Sequence, residues 1–295
     1  MTDYQHQPHQ QTSREAMAAE RRELDRLAVV FESLRREQRR DLGRWGVAGE
    51  LLRILTDPFT GRHQARSETL RMVLVAAVLA ELMIEGWATC QDDTVSTPVP
   101  AGSRRDRTVP GAILIDRRTD LDGGLSVLRL PDQAHVWVAQ RVLAFRQPRS
   151  ARDWIIQLSG EQTEAHHQTT GLWLDHQVEE LLTRRLIDAG VARREVYRPL
   201  LGAERVRMVA VDGYAGAALN AEVRIPRLLS QHKPLDGPDV VIAGLMQRVG
   251  LSGRLRRSTT YRHDLGRYLP QLPAPLQQLI DHAHAAFAYG AATPL

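Results

Sequence analysis

Apolar residues recur at helical spacing through most of this chain. Leu24, Leu27, Ala28, Phe31 and Leu34 fall at i, i+3, i+4, i+7 intervals within a charged stretch, which predicts an amphipathic accessory helix over 14–40. Its acidic and basic residues nearly balance, so the stripe suits contact with a domain or a second helix better than docking on anionic lipid. Val47 to Leu55 is a short apolar helix, broken at Asp57-Pro58 and turned through Gly61. Ser67 reads as the N-cap of a helix reaching about Ile84, with Glu68 in its first turn. Beyond that turn only Arg71 and Glu81 carry charge. A helix apolar around nearly its whole circumference belongs at the centre of a fold.

The pattern then changes period. Ala88 to Cys90 and Ala112 to Asp116 read as short strands, separated by a Pro/Gly-containing mobile loop that holds Arg104, Arg105 and Arg107. A helix is predicted over Asp132 to Phe145, and another after Ser150 bearing Trp154, Ile155, Ile156 and Leu158. Leu174 to Ala189 forms the next, with Val178, Leu181, Leu182 and Leu186 inward and Gly190 closing it. Val191 to Tyr197 and Arg205 to Val211 alternate as a β-hairpin through Pro199 and Gly202. Helices follow at about Gly216 to Ser230, Pro238 to Val249, Tyr261 to Leu269 and Pro275 to Tyr289. Residues 1–13 are Gln/His-rich, without apolar period, and read as a disordered tail; 291–295 are a C-terminal tail. The body is therefore expected to be one mainly α domain over 41–290, a compact helical bundle with two small β-hairpins.

Composition sharpens this only slightly. With 43% hydrophobic, 25% charged and 5% aromatic residues, aliphatic side chains must fill the core. The 39 basic residues exceed the 35 acidic by a net +4, and Lys233 is the only lysine. GC-rich codon bias accounts for that ratio, yet arginine also pairs bidentately with phosphate. Cys90 stands alone, which excludes an internal disulfide and a Cys-rich zinc site. The start lacks the pattern of a signal peptide, and the longest apolar run, Met72 to Ala80, is about half the roughly 20 residues that span a bilayer. A cytoplasmic protein that meets membranes from outside is expected.

No motif nominates an enzyme, a cofactor or a metal. Walker, dinucleotide-fingerprint, nucleophile-elbow and metalloprotease patterns are missing from the sequence. Asp281, His282 and His284 share a helix, but the two histidines point about 200° apart on it. His166-His167 has carboxylates at no recognisable ligand spacing. The helix, helix, hairpin order from Ser150 to Val211 is also compatible with a winged helix offering Arg184, Arg185, Arg193 and Arg194 to DNA. Asp175, Glu179, Glu180 and Asp188 on the same helix would repel the phosphate backbone, making nucleic acid the least favoured partner.

Four blocks in order resemble the Golgi phosphoprotein 3 (GPP34) family: LLRILTDPFTGR at Leu51–Arg62, LVAAVLAELMIEGW at Leu74–Trp87, RSARDWIIQLSG at Arg149–Gly160 and VEELLTRRLIDAGVARRE at Val178–Glu195. The arginine bias suggests a bacterial member, to which a Golgi role does not transfer. The resemblance implies a helical bundle that binds membrane phosphoinositide. The family's tryptophan and arginines of the phosphatidylinositol 4-phosphate pocket correspond here to Arg66, Val75, His176 and Glu179, none retaining the family's side chain. Arg71 lies one turn before Val75 on the same face, so a rearranged headgroup site of Arg66, Arg71 and His176 is expected. The competing reading pairs Arg71 with Glu68 or another carboxylate. Arg104, Arg105, Arg107, Arg117 and Arg118 form a second cationic set, serving membrane attraction or self-association. The expected function is non-catalytic: peripheral binding of anionic phospholipid surfaces, with recruitment or organisation of unidentified protein partners and a possible homo-oligomer. A lipid-independent interaction scaffold is the alternative.

Overall fold

Two successive apolar stretches become helices α1 (Gly46–Ile54) and α2 (Ser67–Ile84). The computed structural model describes residues 45–90, 112–115, 132–144, 149–164, 177–198, 204–211, 221–255 and 261–292, all within one compact unit, Arg44–Leu295. The accessory helix expected over 14–40, the N-terminal tail, His166-His167 and the loop arginines Arg104, Arg105, Arg107, Arg117 and Arg118 lie outside the described residues. So do His176 and the turn between the hairpin strands.

Every residue of α2 from Met72 to Met83 is buried, as its uniform apolarity requires. Each fully buried Leu or Val there stabilises the fold by roughly 1.5–3 kcal/mol. Glu68, Arg71 and Glu81 interrupt its apolar character, and among the described residues no helix is long and apolar enough to cross a membrane. The helix begins one residue earlier than expected: Arg66 is the N-cap, with extended backbone and no side-chain cap, and Ser67 is the first helical residue.

Strands β1 (Ala88–Cys90) and β2 (Ile113–Ile115) pair antiparallel with Thr89 opposite Leu114. Helix α3 (Gln133–Ala144) is capped by Asp132, whose Oδ1 accepts from Ala134 N at 2.7 Å and His135 N at 3.1 Å. Ser150 caps α4 (Ala151–Glu164) in the same way, accepting from Asp153 N. Helix α5 (Gln177–Asp188) leads through Gly190 into β3 (Ala192–Tyr197) and β4 (Arg205–Ala210), paired antiparallel with Val196 opposite Val206. Helices α6 (Ala221–Ser230), α7 (Gly237–Arg248), α8 (Tyr261–Tyr268) and α9 (Ala274–Ala292) complete the bundle. The last runs two residues beyond the boundary expected at 290.

Helix α2 is the hub, with α1, α3, α4, α5, α7 and α9 packed around it. The protein is therefore mainly α, with two small antiparallel strand pairs among the described residues, as its periodicity predicts.

Two buried glutamates tie helix starts to helices distant in sequence. Glu81 of α2 accepts from Ala48 N, in the first turn of α1, at 2.7 Å. Glu50 of α1 accepts from Trp45 Nε1 at 2.7 Å and faces Ala221 N, the start of α6, at 3.5 Å. Arg224 of α6 then grips Asp239 of α7 bidentately along one guanidinium edge, Nε to Oδ2 at 2.9 Å and Nη2 to Oδ1 at 2.6 Å. Each carboxylate satisfies orphan donors that the local sequence leaves unpaired.

Candidate functional site

The outer site is built from the turn between α1 and α2. Asp57 Oδ1 accepts from Phe59 N at 3.1 Å, Thr60 N at 2.7 Å and Thr60 Oγ1 at 2.8 Å, so one carboxylate oxygen organises the whole turn. The backbone closes on itself through Asp57 N to Arg62 O and Gly61 N to Asp57 O, both 2.9 Å. Ala210 N donates to Pro58 O at 3.1 Å, and Arg207 Nη1 to Thr60 O at 3.3 Å. The turn is thus laid along the outer edge of β4.

His63 is clamped at the far side of this turn. Its Nε2 lies 2.7 Å from Glu179 Oε1 at the start of α5, and its Nδ1 lies 3.1 Å from Thr56 Oγ1. Arg66 follows, exposed, at the uncapped start of α2. Arg71 folds back over the first turn of that helix, its Nε donating to Ser67 O at 3.3 Å. Among the described residues no carboxylate is within ion-pair distance of Arg66 or Arg71. Glu68 shares their turn and His176 lies outside the described residues. Two of the three residues expected in a headgroup site are therefore brought to one helix start. Val75 is fully buried and faces the core instead.

A second cluster, which the sequence reading missed, is buried beneath α3. Glu81, Asp132 and His135 each place a potential ligand atom within 4.8 Å of the others. Arg185 of α5 enters the same cluster. Its Nη1 donates to Glu81 Oε2 at 2.9 Å and to Trp45 O at 2.9 Å, and its Nη2 pairs with Asp132. His135 Nε2 is 2.7 Å from Glu81, and its Nδ1 is 3.2 Å from Asp132.

Burial works against every charge in this cluster, yet the partners outweigh it. Desolvation would lower the His135 pKa, but contacts with Asp132 and Glu81 push it up to about 9. Desolvation would raise Asp132, but His135 and Arg185 hold it down to about 2. Glu81 is likewise kept below the usual carboxylate range, since Arg185, His135 and the Ala48 amide together exceed its burial. The group reads as two carboxylates, one guanidinium and one imidazolium, with no net charge. Arg185 already supplies the cation between the carboxylates, with Nη1 on Glu81 and Nη2 on Asp132. The cluster is a structural lock joining α1, α2, α3 and α5.

The pH dependence follows from the His135 shift. A folded-state pKa raised above 6.5 gives stability that is complete below about pH 6.5 and lost as pH rises through about 9. His135→Gln is expected to be less stable than wild type at pH 6, with the gap narrowing toward pH 9.5; urea unfolding across that range measures it. A gap unchanged with pH would mean that His135 is neutral in the fold.

The arginines considered for DNA are distributed otherwise. Arg185 has only 9% of its side chain exposed and is committed to the lock. Arg184 and Arg194 both pair with Glu180, and Arg193 is exposed on β3. On α9, Asp281 pairs with Arg248 of α7 at 2.7 Å, and His284 Nδ1 sits 3.0 Å from Arg248 O, so both serve helix packing.

The lock was detectable in principle. A lone Glu81 in an otherwise apolar buried segment demands an equally buried cation, although the sequence does not say which one. A family model described as Golgi phosphoprotein 3 (GPP34) matches residues 47–283 of this chain. No curated protein matches it.

Proposed function

Because the chain belongs to the Golgi phosphoprotein 3 (GPP34) family, we propose that it is a non-catalytic, cytoplasmic peripheral membrane protein that binds anionic phospholipid headgroups and recruits or organises protein partners. The observation that carries this reading is the pair Arg66 and Arg71 at the start of α2. Neither is neutralised by a described carboxylate, whereas Arg185, Arg194, Arg207, Arg224 and Arg248 are all in ion pairs. The first-turn amides of α2 lack a side-chain cap and add partial positive charge at the same point. His176 completes the proposed headgroup site, with Arg104, Arg105, Arg107, Arg117 and Arg118 adding diffuse attraction or a contact between copies.

Each arginine near an anionic bilayer contributes about 1 kcal/mol. Arg66→Gln combined with Arg71→Gln is therefore expected to weaken binding roughly thirtyfold, measured by co-sedimentation with vesicles bearing a panel of headgroups at two ionic strengths. Preference for one headgroup that persists at high salt supports a formed site, whereas uniform loss with salt supports diffuse attraction. Failure of wild type to bind any anionic vesicle at low salt would favour the lipid-independent scaffold.

A further inference from the structure

We propose that Phe59, in the turn leading to the helix that bears the headgroup arginines, is a membrane-inserting anchor, its occupant being the acyl boundary of an anionic bilayer. This rests on the lipid-binding reading above and adds to it the residue that enters the apolar layer. Phe59 is 74% exposed, the most open large apolar side chain among the described residues. Scattered exposed aliphatic residues are ordinary; an aromatic ring held outward by a rigid turn is less so. The turn is fixed by the three bonds to Asp57 Oδ1, the two backbone closures and the two bonds from β4. Nothing in that bonding would prevent a shorter polar side chain at position 59, so the ring's exposure is not a by-product of folding the turn.

Charge complementarity selects the occupant. Arg62 and Arg66 follow the ring at three and seven residues and are both exposed. The turn's one carboxylate, Asp57, is consumed by the turn itself, and Glu195 is paired with Arg207. An exposed ring with exposed guanidinium groups three and seven residues further along the chain matches a bilayer, where the ring sinks below the phosphates and the cations stop at them. The hairpin to which the turn is bonded carries a second exposed apolar pair, Val196 opposite Val206, each 62% exposed. An acidic protein groove is the other chemistry these residues would tolerate, and the experiment separates it.

Cys90 is buried, so a cysteine introduced at position 59 takes a thiol-reactive, polarity-sensitive fluorophore selectively. Full-length Phe59→Cys so labelled is mixed with phosphatidylcholine vesicles containing phosphatidylserine, with Tyr289→Cys on α9 as the control. The expected result is a blue-shifted, brighter emission at 59 and none at 289. Phe59→Ser, with an unchanged melting temperature, should bind these vesicles about tenfold more weakly. If wild type binds but the label at 59 reports water and Phe59→Ser binds equally well, the anchor is overturned while lipid binding stands. If wild type does not bind, the lipid reading itself fails and the anchor with it.

Discussion

Arg185→Met is expected to destabilise the protein by about 3–5 kcal/mol, because it leaves Glu81 and Asp132 facing one another beneath α3 with only His135 between them. The loss should appear as a lower urea midpoint with little change in slope. Two ways of removing charge distinguish the pair's geometry from its mere presence. Removing Arg185 alone strands two carboxylates, Glu81 buried and Asp132 half-buried. Combining Arg185→Met with Glu81→Gln and Asp132→Asn removes the stranded charge while keeping the acceptors that close Ala48 N and cap α3, and should recover much of the loss. Recovery would identify the cost as that of unpaired buried charge. If Arg185→Met melted like wild type, the lock would contribute nothing to stability.

Gly46→Ala is expected to cost about 3 kcal/mol, through two separable effects. Gly46 has φ +67, a left-handed conformation costing an L-residue roughly 1–2 kcal/mol. A Cβ there would also overlap Glu81 Oε1 and approach Arg185 Nη1 to 3.1 Å, displacing the carboxylate from the Ala48 amide. Gly190 supplies the comparison. Its φ is +74, but a Cβ would meet nothing within 4 Å, so Gly190→Ala should show only the conformational part. Thermal unfolding of the two variants side by side isolates the steric part; equal losses would show that Glu81 moves aside freely.

The helices were legible because their cause is local. Uniform apolarity identified α2 as the buried axis, and Asp57-Pro58, Gly86 and Gly190 marked ends that the fold observes. The N-cap of α2 was misplaced onto Ser67 because serine is the usual capping residue, whereas the turn from Arg62 to Arg66 sets that start by tertiary contact. The lock was not legible because its members pair across long separations: Arg185 lies 104 residues from Glu81. Helical register places a charge on a face but does not say which neighbour occupies that face. In the sequence alone Arg185 is one of several arginines of equal standing, and nothing beside His135 names its partners. Of the outer site, Arg66 follows from the family resemblance and Arg71 from its place one turn before Val75. Phe59 was hidden because the sequence does not distinguish a turn that buries its aromatic ring from one that presents it.

The transfer of capping duty between helices has a consequence for how the molecule assembles. Helix α1 has no starting signal of its own, since the donor at Ala48 is closed by a side chain 33 residues further on. A short helix without a local cap is marginal in water. Helix α1 therefore persists only once α2 is docked against it, and α6, whose first amide faces Glu50, depends in turn on α1. The three helices are therefore expected to open and close as a single cooperative unit rather than fray one by one, with a common hydrogen-exchange rate for their amides.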